Sequence, residues 1–342
     1  MTALIVKGDG PSGANGNTRS TSAVSTAEMS PEAIIALSRE RIEKGSKSFA
    51  GAARLFDPQT RDSAYMLYAW CRHCDDEIDG QELGFNTDAA ATPPTQARLS
   101  ALRERTVEAI EGRAADPIFV ALQLVLARHE IPARHPLELI DGMAMDVHGQ
   151  RYDTLDDTLL YSYHVAGVVG VMMAMVMGVR EAATLDRACD LGIAFQLTNI
   201  ARDVHADAQV GRVYLPADWL VEAGIAPTAV AVADAANRAA VHAVTLRLLD
   251  EADRYYASAG DGLHHLPLRS AMAIAAARRV YSDIGNVVRE LGPGAGAKRA
   301  SLARMRKLTG LVTATGDAVG AHTIGRWRTS SERTGLWTMP RG

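Results

Sequence analysis

Asp75 and Asp79 stand four residues apart in YMLYAWCRHCDDEID, residues 65–79. On an α-helix that spacing puts both carboxylates on one face, about 40° apart around the axis. Arg72 and Tyr68 precede Asp75 by three and seven residues and fall on the same face. A second segment, FQLTNIARDVHAD (195–207), repeats the arrangement with Gln196, Asn199, Asp203 and Asp207 at spacings of three, four and four. Both segments carry hydrophobic residues suited to the opposite face. Two like charges at i,i+4 cost an isolated helix about 0.2–0.5 kcal/mol, so making the arrangement twice calls for a compensating partner. A solvated acidic face is the plain alternative for either pair alone. The two together point elsewhere, because Arg72 accompanies one pair and Asn199 and Arg202 accompany the other. Carboxylates with oxygen-donor neighbours suit Mg2+ or Mn2+, whose shells are commonly completed by substrate phosphates. Nearby arginines would bind the remaining phosphate oxygens. The pattern predicts a site for a metal-bridged diphosphate.

The elements that must carry these residues read as helical almost throughout. The thirteen prolines fall between long Ala/Leu/Arg/Glu-rich stretches. Ser30-Pro31-Glu32 offers an N-cap followed by proline at the first helical position. Helices are predicted over 31–44, 47–56, 60–80, 96–112, 117–129, 136–150, 156–178, 184–206, 216–223, 227–259, 268–291 and 298–316, with 81–95 as a loop. Sustained period-two alternation is missing, and so is any internal repeat. The fold class is therefore all-α, with one domain over 31–316. Residues 1–30, rich in Gly, Ser, Thr, Ala and Asn, are expected to be a disordered leader, and 317–342 a C-terminal tail. The longest apolar run, Val165–Val179, would span about 22 Å as a helix against a hydrocarbon core of about 30 Å, so a buried core helix is expected. Its glycines, Gly167, Gly170 and Gly178, would permit close helix packing or passage of a bulky ligand.

Composition removes several function classes. Lys+Arg 36 against Asp+Glu 40 gives a formal charge of −4, too balanced to bind nucleic acid through net charge alone. Three cysteines cannot build a disulfide framework, so a reducing, cytoplasmic setting is expected. Cys71-x-x-Cys74 lacks a second cysteine pair and a βαβ context, which argues against a zinc or redox role. Gly292-Pro-Gly-Ala-Gly296 lacks phosphate-loop spacing and reads as a helix-ending turn. His264-His265 has no ligand partner at helical spacing and reads as a loop pair. The basic stretch from Lys298 to Lys307 reads as a solvated helix face that could also rest on anionic membrane.

The sequence resembles the squalene/phytoene synthase family of head-to-head prenyl transferases. The matching pieces are GSKSF (45–49), LYAWCRHCDDEID (67–79), DGMAMDVHGQRY (141–152), YSYHVAGVVG (161–170), FQLTNIARDVHADAQVGRVYLP (195–216) and ARRVYSDIG (277–285). They occur in family order over about 32–310 and leave both termini unmatched. The resemblance implies an isoprenoid-synthase helical bundle around a deep central cavity, with the aspartate motifs facing each other across its mouth. Asp75, Asp79, Asn199, Asp203 and Asp207 would hold Mg2+ or Mn2+. Lys47, Arg72, Arg202 and Arg212 match positions that contact diphosphate. Ser46, Ser48, Phe49, Tyr68, Tyr163, Gln196 and Tyr281 would line the reaction chamber. The implied reaction ionises one allylic diphosphate and couples two chains through a cyclopropylcarbinyl diphosphate, for carotenoid synthesis from geranylgeranyl diphosphate. Farnesyl diphosphate is the alternative substrate, and a catalytically silent prenyl-lipid binding protein the alternative class. No nicotinamide cofactor is expected. Peripheral membrane association and handover of product to downstream carotenoid enzymes are the expected partnerships. The chain departs from the family at Ala206, where an acidic residue is usual, and at His205 beside it.

Overall fold

The computed structural model of the chain describes residues 29–45, 51–79, 81–82, 85–86, 95–297 and 332–340. The expected leader falls almost wholly outside these, as do Ser46, Lys47, Ser48, Phe49, the helix predicted over 298–316 and the side chain of Asp79. The longer helices are α1 (Pro31–Gly45), α2 (Pro58–Asp79), α3 (Gln96–Ile110), α4 (Pro117–His129), α5 (Arg134–Val147), α6 (Leu155–Val176) and α7 (Ala182–Gln209). They are followed by α8 (Ala217–Glu222), α9 (Ala229–Ala233), α10 (Arg238–Asp261) and α11 (Leu268–Leu291). The all-α reading holds apart from a minimal hairpin, Gln81–Glu82 against Phe85–Asn86, inside the predicted loop.

Local chemistry sets the boundaries. Thr95 caps α3 and Asp116 caps α4, whose first residue is Pro117. Thr154 and Asp157 form a reciprocal capping box at the start of α6. The helix predicted over 227–259 is broken in two. Asp234 takes an extended conformation and its side chain accepts from the Ala236 N–H, while Asn237 donates to the Ala231 carbonyl. Short polar side chains of this kind compete with the helical backbone for its own hydrogen bonds.

The long helix α7 is the axis of the bundle, with α6, α9, α10 and α11 packed around it. Every residue from 189 to 202 is buried, so this stretch is enclosed on all sides. The approach of α6 to α7 depends on glycine. A Cβ on Gly170 would lie 2.3 Å from the Ala188 carbonyl oxygen, and one on Gly192 would lie 2.2 Å from that of Ala166. The expected close packing is thus present. Helix α6, at 22 residues, is longer than the apolar run suggested and is long and apolar enough to cross a membrane, yet most of it is buried within the bundle. Residues Tyr163–Gly167 within it form a π-helical turn. A segment from the expected tail, 332–340, packs back against α7 and α10 through Arg333 and Trp337.

Candidate active site

On α2, Arg72 is buried and held between two carboxylates, with Nη1 3.3 Å from Asp75 Oδ2 and Nε 3.1 Å from Asp76 Oδ1. Asp76, absent from the sequence-predicted site, is therefore the residue that completes Arg72's charge balance. One turn earlier, the Tyr68 hydroxyl abuts Gly45, where a Cβ would lie 2.9 Å from it. That contact ties the end of α1, which leads into Ser46 and Lys47, to the acidic face of α2. Burial pushes the Tyr68 phenol up, with Arg72 opposing and Tyr281, Asp75 and Asp76 reinforcing the shift. Tyr68 is thus a neutral phenol beside an ion-paired cluster.

On α7, Gln196, Asn199 and Arg202 are buried, and Asp203 and Asp207 follow toward the helix end. Arg202 grips Asp203 with two donors, Nε to Oδ1 at 3.0 Å and Nη2 to Oδ2 at 2.5 Å. Burial, with Asp203 nearby, pushes the Asp207 carboxyl up to about 7, although Arg212 opposes the shift. Beyond the end of the helix the chain turns at Gly211, φ +82, and the Arg212 N–H donates back to the Asp207 carbonyl at 2.9 Å. Glycine is needed at that left-handed position, which explains the Gly-Arg pair after the second motif. Ala206 is exposed, so a side chain at that position faces solvent.

Tyr281 of α11 links the two acidic faces. Its ring stacks on Phe195 at 4.1 Å. It lies close enough to Tyr68 and to Arg202 for their ionisations to influence one another. Side chains from α2, α7 and α11 therefore converge. Among the described residues, Arg72 Nη2, Gln196 Oε1 and Tyr281 Oη are buried with no hydrogen-bond partner in the chain. Buried polar atoms of native proteins are normally partnered, so these three are candidate contacts for a ligand.

Tyr163, which the resemblance places on the chamber wall, has its ring 5.1 Å from Trp337 and 5.1 Å from His164, with its hydroxyl against Glu138. It faces the C-terminal segment. Residues two apart on a helix point about 200° apart, so Tyr161 takes the opposite direction. The Tyr161 hydroxyl donates to Asp146 Oδ2 at 3.0 Å, and its ring stacks on Tyr214 at 4.9 Å. Spacing alone does not mark Asp146, Tyr152, Tyr161 and Tyr214 as site residues. Their signal lies in the same matched segments, where a period-two YSY pair leaves the inward tyrosine ambiguous until the helix rotation is known.

The donor set suits a hard divalent cation, since carboxylate and amide oxygens dominate and the Asp207 carboxyl would ionise beside one. Among the described residues no three carboxylate, imidazole or thiolate groups converge closely enough to hold an ion alone. Magnesium-type sites often draw their remaining ligands from substrate phosphates. Cys71 and Cys74 are free on α2 with thiols pushed up by burial, which suits packing rather than ligation.

The squalene/phytoene synthase family profile matches residues 42–306. The chain belongs to the squalene/phytoene synthase family. A phytoene synthase of Pseudescherichia vulneris is 50% identical over 313 residues, 91% of this chain and 100% of the relative. A 15-cis-phytoene synthase of Enterobacter agglomerans is 51% identical over 299 residues, 87% of this chain and 100% of the relative. In architecture the chain is similar to a ligand-bound dehydrosqualene synthase crystal structure, with TM-score 0.74 at 27% identity, covering 84% of this chain and 96% of that one. A squalene synthase from Alicyclobacillus acidocaldarius shares the fold at TM-score 0.65 and 23% identity, over 78% of this chain and 97% of that one. The family's isoprenoid-synthase architecture, its prenyl diphosphate substrates and its need for a divalent metal thereby apply to this chain.

Proposed function

We propose that this chain is a 15-cis-phytoene synthase, a prenyltransferase joining two geranylgeranyl diphosphates head to head through prephytoene diphosphate to phytoene in carotenoid synthesis. The observation that carries this is Tyr281, whose electrostatic reach to Tyr68 on one acidic helix and to Arg202 on the other ties the two motifs together, beside buried polar atoms with no hydrogen-bond partner among the described residues. Bound Mg2+ or Mn2+, held by Asp75, Asp79, Asn199, Asp203 and Asp207, would neutralise charge developing on the departing diphosphate. Arg72, Arg202, Arg212 and Lys47 add fixed positive charge without proton movement. The Tyr68 and Tyr281 rings, buried and neutral, offer π faces to the allylic cation. Their enclosure keeps out water that would quench it. A cytoplasmic location, with the basic stretch 298–307 resting on membrane and product passing to downstream carotenoid enzymes, suits a reaction whose product is a lipid.

The test incubates the purified full chain with C15 and C20 prenyl diphosphates separately, with Mg2+ or Mn2+, and identifies products by mass. A C40 triene from the C20 substrate is the expected result. A C30 product from the C15 substrate alone would move the chain to the farnesyl branch. No metal-dependent release of diphosphate from either would make it a binding protein.

A further inference from the structure

Asp146 lies outside both aspartate motifs, yet the loop that follows the second motif is built onto it. Each of its carboxylate oxygens accepts a phenol: Oδ1 from Tyr214 at 2.8 Å and Oδ2 from Tyr161 at 3.0 Å. The Tyr161 and Tyr214 rings stack with 18° between their planes, and Tyr152 tilts onto them at 5.2 and 5.6 Å. All three rings are buried. They come from separate places in the chain: Tyr152 from the loop before α6, Tyr161 from α6, and Tyr214 from the loop after α7.

That last loop carries Arg212. Behind Arg212 it is anchored where the Arg212 N–H meets the Asp207 carbonyl. Ahead of it stand the Tyr214 phenol on Asp146 and the Thr158 hydroxyl, which donates to the Tyr214 carbonyl at 3.0 Å. The Ala217 N–H, donating to the Tyr152 carbonyl at 2.9 Å, closes the far end. The charge of Arg212 acts on Tyr152, Tyr214 and Asp207 alike. An anion site gains from donors fixed before the anion arrives, because no reorganisation is then needed. A carboxylate is suited to the anchoring role: it accepts from both phenols at once, and hydrogen bonds to an ionised acceptor are roughly twice as strong as neutral ones.

We propose that Asp146 is a positioning residue for the diphosphate site, holding the 211–216 loop through Tyr214 and Tyr161 so that Arg212 is presented beside Asp207. The assignment rests on the reading of this site as one for prenyl diphosphates. It makes Tyr161 and Tyr214 a brace rather than part of the chamber wall.

The test uses the full chain with Mg2+ and inorganic diphosphate as the probe, with affinity read by calorimetry and KM and kcat read with the C20 substrate. Tyr214→Phe keeps the stacked ring and removes only the hydroxyl. It should weaken diphosphate binding about tenfold and raise KM more than it lowers kcat. Arg212→Ala should also weaken binding, and adding Tyr214→Phe to it should change nothing further. Asp146→Asn should follow the Tyr214→Phe result, since its amide cannot accept from both phenols. Unchanged diphosphate affinity in Tyr214→Phe and Asp146→Asn, or effects that multiply with Arg212→Ala, would overturn the proposal. A merely structural role would shift the melting temperature and leave the affinity ratio alone. Wild-type protein that binds no diphosphate at all would instead overturn the underlying reading of the site.

Discussion

Helix α7 carries two buried polar clusters, and they are finished in opposite ways. In its first half, Asp190 is fully buried and accepts from Arg333 with both oxygens, at 2.8 and 2.7 Å, and from the Ser258 hydroxyl. Arg333 also pairs with Asp186 at 3.7 Å, and Arg187 donates to Ser258 Oγ at 2.6 Å. The partners arrive from α10 and from the C-terminal segment, so both oxygens of Asp190 are closed by the chain itself. In the second half, Arg202 and Asp203 are paired, but Gln196 Oε1, like Tyr281 Oη and Arg72 Nη2, has no hydrogen-bond partner among the described residues. Burying polar groups without partners is costly, and fold stability alone would favour apolar residues there. A buried charge that the chain neutralises serves the structure; a buried polar group left open is set for a ligand.

That contrast can be broken from either side. Asp203→Ala and Asp75→Ala should each lower turnover by about 10²–10³-fold or more while leaving helical content intact, measured as metal-dependent diphosphate release beside far-UV circular dichroism. Near-normal activity in either variant would remove the metal assignment. In the first half of α7 the loss should fall on stability. Arg333→Ala leaves Asp190 buried without its partner and should cost about 3–5 kcal/mol in denaturant unfolding, with KM unchanged in the protein that remains folded. A change in KM with stability intact would reverse the roles assigned to the two clusters.

The reverse signature is expected of Gln196→Leu. Removing a buried amide whose oxygen has no partner should leave stability within about 1 kcal/mol of the parent, or raise it, while kcat falls. A large loss of stability would show that Gln196 serves packing. The smallest effect belongs to Cys71→Ser. The thiol is pushed up by burial beside Asp75 and lies among packed neighbours, so near-parental activity is expected with a stability cost of about 1 kcal/mol. Complete loss of turnover would revive a role for the Cys-x-x-Cys pair.

The periodicity of the chain made its helices and both acidic faces legible, because i,i+3 and i,i+4 spacings hold in any helix whatever surrounds it. Asp75, Asp203, Arg72 and Gln196 could therefore be read as face-sharing groups before any packing was known. Gly170 and Gly192 show where that reading ends. Gly170 could be marked as small, but its meeting with the Ala188 carbonyl depends on a crossing made by residues far apart in the chain. The same holds for Asp76, which became Arg72's partner only when burial removed water as the alternative. Tyr161 and Tyr163 are the clearest case. Their spacing requires opposite directions, but which one meets Asp146 and which meets Trp337 follows from the rotation of α6 against α7 and from the return of the C-terminal segment. Local spacing determines which side chains travel together on a helix. The partner each one meets is decided by helix rotation and long-range packing, since those contacts join segments that have no fixed relation along the chain.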